Sequence, residues 1–263
     1  MNQLSVALWG EILKVRRAKI FMITAMLFAF IAIMMGLLMY VAMHPEIAGR
    51  SATISAKASA VGKADWPSFL YLLVQIVLAI GPIGFGMVTA WVFGREYSDR
   101  VIKDLLALPV SRTVIVVSKF IVILIWCTIL AALLFITGIL AGLAVGMPGW
   151  STQIAIHTCI IFSGSFLLTM LLCTPVAFLA SVSRGYLLPV GFAILTLILT
   201  NFVAMGVPNM MPYFPWGIPA LYSGIAGREA LPHAGAISYF ILTATSIAGF
   251  AGTAAWWRFA DQT

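Results

Sequence analysis

Six stretches of this chain leave it little choice of fold. Near residues 20–42, 69–93, 120–146, 153–182, 186–205 and 234–257 the sequence is apolar for twenty residues or more, without one Asp, Glu, Lys or Arg. A run of that length matches the hydrocarbon thickness of a bilayer when it is helical. Inside lipid no water satisfies backbone N–H and C=O groups, so each run must satisfy its own, and a helix does this. Composition agrees: the chain is 62% hydrophobic and 9% charged, whereas soluble domains are about a quarter charged. The first run, of about 23 residues, is longer than the apolar core of a cleaved signal and reads as an anchor. The fold class expected is an all-α integral membrane protein with six transmembrane helices.

Lysine and arginine set the orientation. With the N-terminus inside, eleven fall on the inner side: Lys14, Arg16, Arg17, Lys19, Arg95, Arg100, Lys103, Arg112, Lys119, Arg184 and Arg258. Four fall outside: Arg50, Lys57, Lys63 and Arg228. The positive-inside rule then places both termini in the cytoplasm. The net charge of +7 is spread over several loops and suits an anionic membrane surface rather than nucleic acid. Residues 1–19 precede the first run. Within them Leu4, Leu8, Ile12 and Val15 share one helical face, and Gln3, Gly10, Lys14 and Arg17 the other. This reads as an amphipathic helix lying along the inner membrane surface; the alternative is a solvated extension with chance periodicity.

The outer connections differ from one another. Residues 44–68 are small and polar and read as a flexible link, whereas 147–152 are few enough to make the third and fourth spans neighbours. Residues 206–233 hold five of the twelve prolines together with Tyr213, Phe214, Trp216 and Tyr222. That segment is too broken to span and too apolar to be freely solvated, so it reads as an outer re-entrant or interfacial loop, with an ordinary aromatic belt as the alternative. Cys127, Cys159 and Cys173 lie in apolar runs, show no disulfide or metal spacing, and read as small core residues. His157 is the one ionisable candidate inside a span and reads as a packing residue rather than a proton relay. No GxxxxGK[ST] phosphate loop, HExxH or nucleophile elbow is present, which points to a conduit whose energy comes from another subunit.

The stretch 93–112, "FGREYSDRVIKDLLALPVSR", stands apart, with four basic and three acidic residues in twenty. Ser98 is a candidate cap for a short helix with Asp99 in its first turn. Val101, Ile102, Leu105 and Leu106 give that helix an apolar face. Pro109 ends it, and Ser111 is a candidate cap for the next helix. The result expected over 94–119 is a short amphipathic helix held between two spans. It would serve as a docking surface; a solvated loop that only sets topology is the alternative.

These residues resemble a family. "GREYSDRVIKDLLALPVSRTVIVVSK" is similar to the stretch between the second and third spans of type-2 ATP-binding-cassette (ABC) transporter permeases. Glu96 stands for the acidic residue ending the second span, and Leu105-Leu106 for the leucine pair of the coupling helix. Pro109-Val110-Ser111-Arg112 matches the turn, and Lys119 opens the third span. Asp99-Arg100 stands near the place of the usual Gly-Thr pair, a departure from the pattern. Within the family the chain resembles bacitracin- and lantibiotic-immunity permeases. The resemblance implies a permease without its own ATPase site, in a bacterial plasma membrane. It implies a cytoplasmic ABC ATPase partner that binds ATP and Mg, and a second permease copy or paralogue. Export and antibiotic resistance follow as expectations. The ATPase-coupling residues implied are Glu96, Asp99, Arg100, Asp104, Leu105, Leu106, Pro109 and Arg112.

A substrate path is sought on small or polar faces. Gln75, Ala79, Pro82, Gly86 and Thr89 recur at helical spacing on the second span, which Gly81-Pro82 should kink. Thr196 and Thr200, with Asn201 beside them, lie on the fifth. A cleft between these faces is one reading and close small-residue packing the other. Gly138, Gly142 and Gly146 read as a packing ridge. The competing function classes are a stand-alone secondary carrier or channel, and an integral membrane enzyme or assembly factor. Co-purification with an ATPase separates them from the permease reading.

Overall fold

The computed structural model describes residues 3–44, 46, 63–99, 101–102, 110–224 and 232–259. Among these the chain is helical: α1 (Gln3–Arg17), α2 (Lys19–Met43), α3 (Trp66–Ser98), α4 (Arg112–Val145), α5 (Thr152–Leu171), α6 (Thr174–Val182), α7 (Leu187–Gly206), α8 (Ile218–Ser223) and α9 (Ala236–Phe259). Two 3₁₀ turns, Pro208–Tyr213 and Pro215–Gly217, precede α8. Six helical segments are long and apolar enough to cross a bilayer: α2, α3, α4, α5 with α6, α7 and α9. Many of the hydroxyls inside them bond to their own helices, as Thr89 Oγ1 does to the Phe85 carbonyl at 2.8 Å and Thr253 Oγ1 to that of Gly249 at 2.8 Å. Such back-bonding satisfies a polar side chain where water is absent.

The helices overrun the apolar stretches. Charged ends cost nothing at the membrane boundary, and caps rather than hydropathy stop them. Thus α3 continues through Pro82 to Ser98, and α4 begins at Arg112, leaving 99–111 as the connection. Ser98 is the last residue of α3, its Oγ donating to the Gly94 carbonyl at 3.3 Å; the short helix it is expected to cap falls mostly outside the described residues. Ser111 does cap α4, accepting from the Val114 N–H at 3.3 Å. Asp65 caps α3 in the same way, accepting from the Ser68 N–H at 3.0 Å.

The chain divides into two compact units. One comprises Lys19–Val77 and Ile129–Ser163. Glycines bring its helices close: a Cβ on Gly138 would stand 2.7 Å from Leu73, and one on Gly142 2.6 Å from the Trp66 ring. Two glycines of the ridge are thus intramolecular packing sites, while Gly146, at φ +71°, ends α4 with open space around it. Phe135 and Phe162 lie 4.9 Å apart across the short 146–151 connection, so α4 and α5 are neighbours there. His157 and Cys159 are both exposed on α5, contrary to their expected packing and core places; Cys127 and Cys173 are buried.

The other unit comprises Met1–Ala18, Leu78–Thr128 and Gly164–Thr263. At one end of it Trp257 is wholly buried, its Nε1 donating to Ser181 Oγ at 2.9 Å and its ring edge-on to Phe93. Arg112 Nη1 donates to the Trp257 carbonyl at 3.2 Å. This joins the last turn of α9, the end of α6, the end of α3 and the start of α4. Elsewhere in the unit, the chain after α7 doubles back. Trp216 stacks edge-on against Phe192 at 5.4 Å, fourteen residues before the end of α7, or roughly 20 Å down the helix. Ile218 then packs with Leu172 and Leu242.

Candidate functional site

At the end of this unit formed by α3, α4 and α1, four charged side chains meet, three of them buried and Lys14 about a third exposed. Lys119, on the second turn of α4, is wholly buried, and Glu96, near the end of α3, is 2% exposed. Lys119 Nζ donates to Glu96 Oε1 at 2.7 Å and to the Val92 carbonyl at 2.9 Å, and lies 3.4 Å from Glu11 Oε2. Lys14 Nζ bridges the same two carboxylates, 2.8 Å from Glu96 Oε1 and 2.6 Å from Glu11 Oε1. Two cations and two carboxylates balance, which is how charges persist in a dry place. The Phe93 and Trp257 rings add faces at 5.8 Å from Lys119 Nζ. Burial works against the Glu11 carboxylate, but the Lys119 and Lys14 charges outweigh it and lower its pKa. Burial likewise works against the Lys14 ammonium, and Glu96 and Glu11 outweigh it and raise its pKa.

The network turns α1 around. Glu11 and Val15 are its buried residues, while Leu4, Leu8 and Ile12 are half-buried beside them. The apolar face that periodicity assigns to the membrane is thus the face turned onto the protein. Glu11 was not singled out by sequence. Its signal was there: a carboxylate between Leu8 and Val15 on an apolar face, where only a buried partner makes it tolerable. Lys14, counted by periodicity on the polar face, reaches across the edge of the helix.

The expected coupling residues divide. Glu96 is buried in the network and presents no surface to a partner. Asp99 is exposed and pairs with Arg95 at 3.0 Å. Arg112 is committed to the end of α9 through the Trp257 carbonyl. Arg100, Asp104, Leu105, Leu106 and Pro109 lie outside the described residues.

The expected path residues also divide. Pro82, Thr196 and Thr200 line one cavity of about 50 Å³, together with Thr169, Cys173 and Trp216. Gly86 lies beside it in direct packing, since a Cβ there would stand 3.0 Å from that of Ala193. Thr89 is buried and bonded to its own helix. Asn201 is exposed on α7, its Nδ2 donating to the Leu197 carbonyl at 2.9 Å. Gln75 is half-buried in the other unit. The two faces do meet, by close packing at Gly86 and with a water-sized gap at Pro82. Among the described residues no group of three His, Cys, Asp or Glu side chains is placed to hold a metal.

The family model for ABC-2 family transporter proteins matches residues 7–201. The chain belongs to the ABC-2 transporter family. This ABC-2 permease is also 29% identical over 189 residues to the bacitracin transport permease protein BCRB of Bacillus licheniformis, covering 72% of the chain and 88% of that relative. No solved structure matches it. The matched span of the permease takes in all four charges of the network and the cavity residues of α3 and α7. It stops before the segment that doubles back under Trp216. The chain is thus an ABC transporter permease subunit, a multi-pass membrane protein.

Proposed function

We propose that this permease exports an amphipathic compound, a peptide antibiotic or a lipid, using ATP hydrolysed by a separate cytoplasmic subunit. Two permease chains, identical or related, pair with two such ATPases, which hold the ATP and Mg. The membrane is a bacterial plasma membrane, with both termini cytoplasmic. The observation that carries this reading is the charge network. Glu96 and Lys119 clamp the ends of the two helices that flank 99–111, and Glu11 with Lys14 adds α1 to the clamp. A push that reaches the ends of α3 and α4 is therefore shared through the clamp, and α3, α4 and α1 move together. The motion reaches the α3–α7 contact, where Pro82, Gly86, Thr196 and Thr200 stand. The gap of about 50 Å³ there has room for water only, so passage of a larger molecule requires the two faces to part. The bacitracin relative supports a peptide antibiotic as cargo.

The test is made on Arg100, Leu105 and Leu106. Leu105→Asp or Leu106→Asp places a charge in the face that would seat in the ATPase. Loss of a packed interface anchor costs about 2 kcal/mol, so docking should weaken at least about thirtyfold. Arg100→Glu, at the rim, should weaken it less and in a salt-dependent way. Purified permease variants are assayed for co-elution of the ATPase and for transport-linked ATP hydrolysis. Normal values for both leucine variants, correctly inserted, would refute the coupling.

A further inference from the structure

The face of α1 with the strongest apolar periodicity is turned onto the protein. Opposite Glu11 and Val15 stand Val6, Trp9, Leu13, Arg16 and Arg17. Val6 is 46% and Trp9 58% exposed, Arg16 and Arg17 are exposed, and Leu13 is half-buried. None of the ion pairs among the described residues involves either arginine.

The depth of this face follows from the other side of the helix. Glu11 contacts Lys119, and the apolar run of α4 begins at the next residue. Lys14 contacts Glu96, just beyond the end of the apolar run of α3 at Phe93. The middle of α1 thus lies level with the edge of the hydrocarbon, and only Ala18 separates α1 from α2, itself a span. A helix at that depth, with an indole and two aliphatic side chains outward, sits where tryptophan is favoured, between headgroups and acyl chains. The two arginines at its C-terminal end then stand at phosphate level. Their planar guanidinium groups suit bidentate contacts to phosphate oxygens.

We infer that Val6, Trp9, Leu13, Arg16 and Arg17 form a binding face for anionic phospholipid, with the apolar side chains in the interface and the arginines on the headgroups. The inference needs only that the chain is embedded in a bilayer, and stands apart from ATP coupling. Arginines near an anionic surface contribute about fivefold each to its attraction, so the pair should select anionic over zwitterionic lipid by up to roughly thirtyfold.

The full-length permease is placed in nanodiscs with brominated phosphatidylglycerol or brominated phosphatidylcholine at equal fractions. A bimane label is attached at Val6→Cys or at Leu13→Cys, with Cys159→Ala removing an exposed native thiol. Both labels should be quenched by brominated lipid and shielded from aqueous iodide. At Leu13→Cys the phosphatidylglycerol should quench more strongly. Arg16→Gln with Arg17→Gln should remove that preference while leaving quenching by brominated phosphatidylcholine at the Val6 label unchanged. Quenching by iodide instead of lipid would place the face in water. Protection from both quenchers would mean that a protein covers it. Equal quenching by the two lipids would mean that the arginines hold no headgroup. Each of these three results overturns the inference. ATPase co-elution, measured separately, is expected to be unaffected in the double arginine variant, so failure here is distinct from failure of the coupling.

Discussion

Lys119 has three N–H donors and three acceptors around it, Glu96, Val92 and Glu11, with no exposure to water. Removing its charge leaves Glu96 and Glu11 facing each other with Lys14 as the remaining cation. Breaking one side of a buried pair typically costs ~3–5 kcal/mol, so Lys119→Met should lower thermal stability in detergent by that order. Replacing both partners is milder, because an apolar or neutral isostere leaves no orphan charge. Lys119→Met with Glu96→Gln should recover part of the loss in the same melting measurement. The pH response has a definite sign. The Glu11 carboxyl is lowered in the folded chain, so its contribution is present above the ordinary carboxylate range and lost as pH falls through the lowered value. The Lys14 ammonium is raised, so its contribution is present below the ordinary lysine range and lost as pH rises through the raised value. Neither Glu11 nor Lys14 should therefore contribute a change in melting temperature between about pH 5 and 9. The decline on acidification should be shallower in Glu11→Gln.

Helices in this chain approach one another where a glycine lets backbone meet backbone. Thr174 Oγ1 donates to the Ser246 carbonyl at 2.7 Å, tying the start of α6 to α9. One turn on, a Cβ on Gly249 would stand 2.5 Å from the Pro175 nitrogen and 2.6 Å from the Thr174 carbonyl carbon. Those are backbone atoms of a proline-initiated helix and cannot swing aside. Gly249→Ala should force α6 and α9 apart and destabilise the protein by roughly 1–3 kcal/mol, read as a lower melting temperature. Gly191, with open space around it on α7, serves as a control, and Gly191→Ala should be near neutral. The same closeness explains why α6 exists as a separate helix. Pro175 lacks an N–H and starts a new helix after the break at 172–173, and Cys173 there makes no side-chain cap.

In the unit that holds both termini, one end collects the start of α4 and the ends of α1, α3, α6 and α9. Gly94 reaches the same end, where a Cβ would stand 2.9 Å from the Gly185 backbone of the α6–α7 connection. Termini and two connections on one side are what an even number of crossings requires. We propose, from the arginine and lysine count, that this side is the cytoplasmic one. Cysteine at Asp99 should react with a membrane-impermeant maleimide only after the cell is opened. Cysteine at Ser59 should react from outside in intact cells. Labelling of Asp99→Cys from outside would reverse the orientation.

Six helices, their approximate places and the family were legible in the sequence, because lipid imposes length and apolarity on any segment that crosses it and the 93–119 stretch carries a pattern of its own. Hydropathy reports how apolar a residue is, and it says nothing of whether the neighbour is an acyl chain or another helix. That is why the face of α1 marked by Leu4, Leu8, Ile12 and Val15 turned out to be the inward one, and why Cys159 and His157 are exposed. Charge counting set a side for each lysine and did not pair any of them. Lys119 and Glu96 are 23 residues apart in sequence, and Glu11 lies 108 residues from Lys119. Only the convergence of three helix ends brings them within hydrogen-bonding distance. Burial then decides their role, since a charge with no water around it must be held by its neighbours.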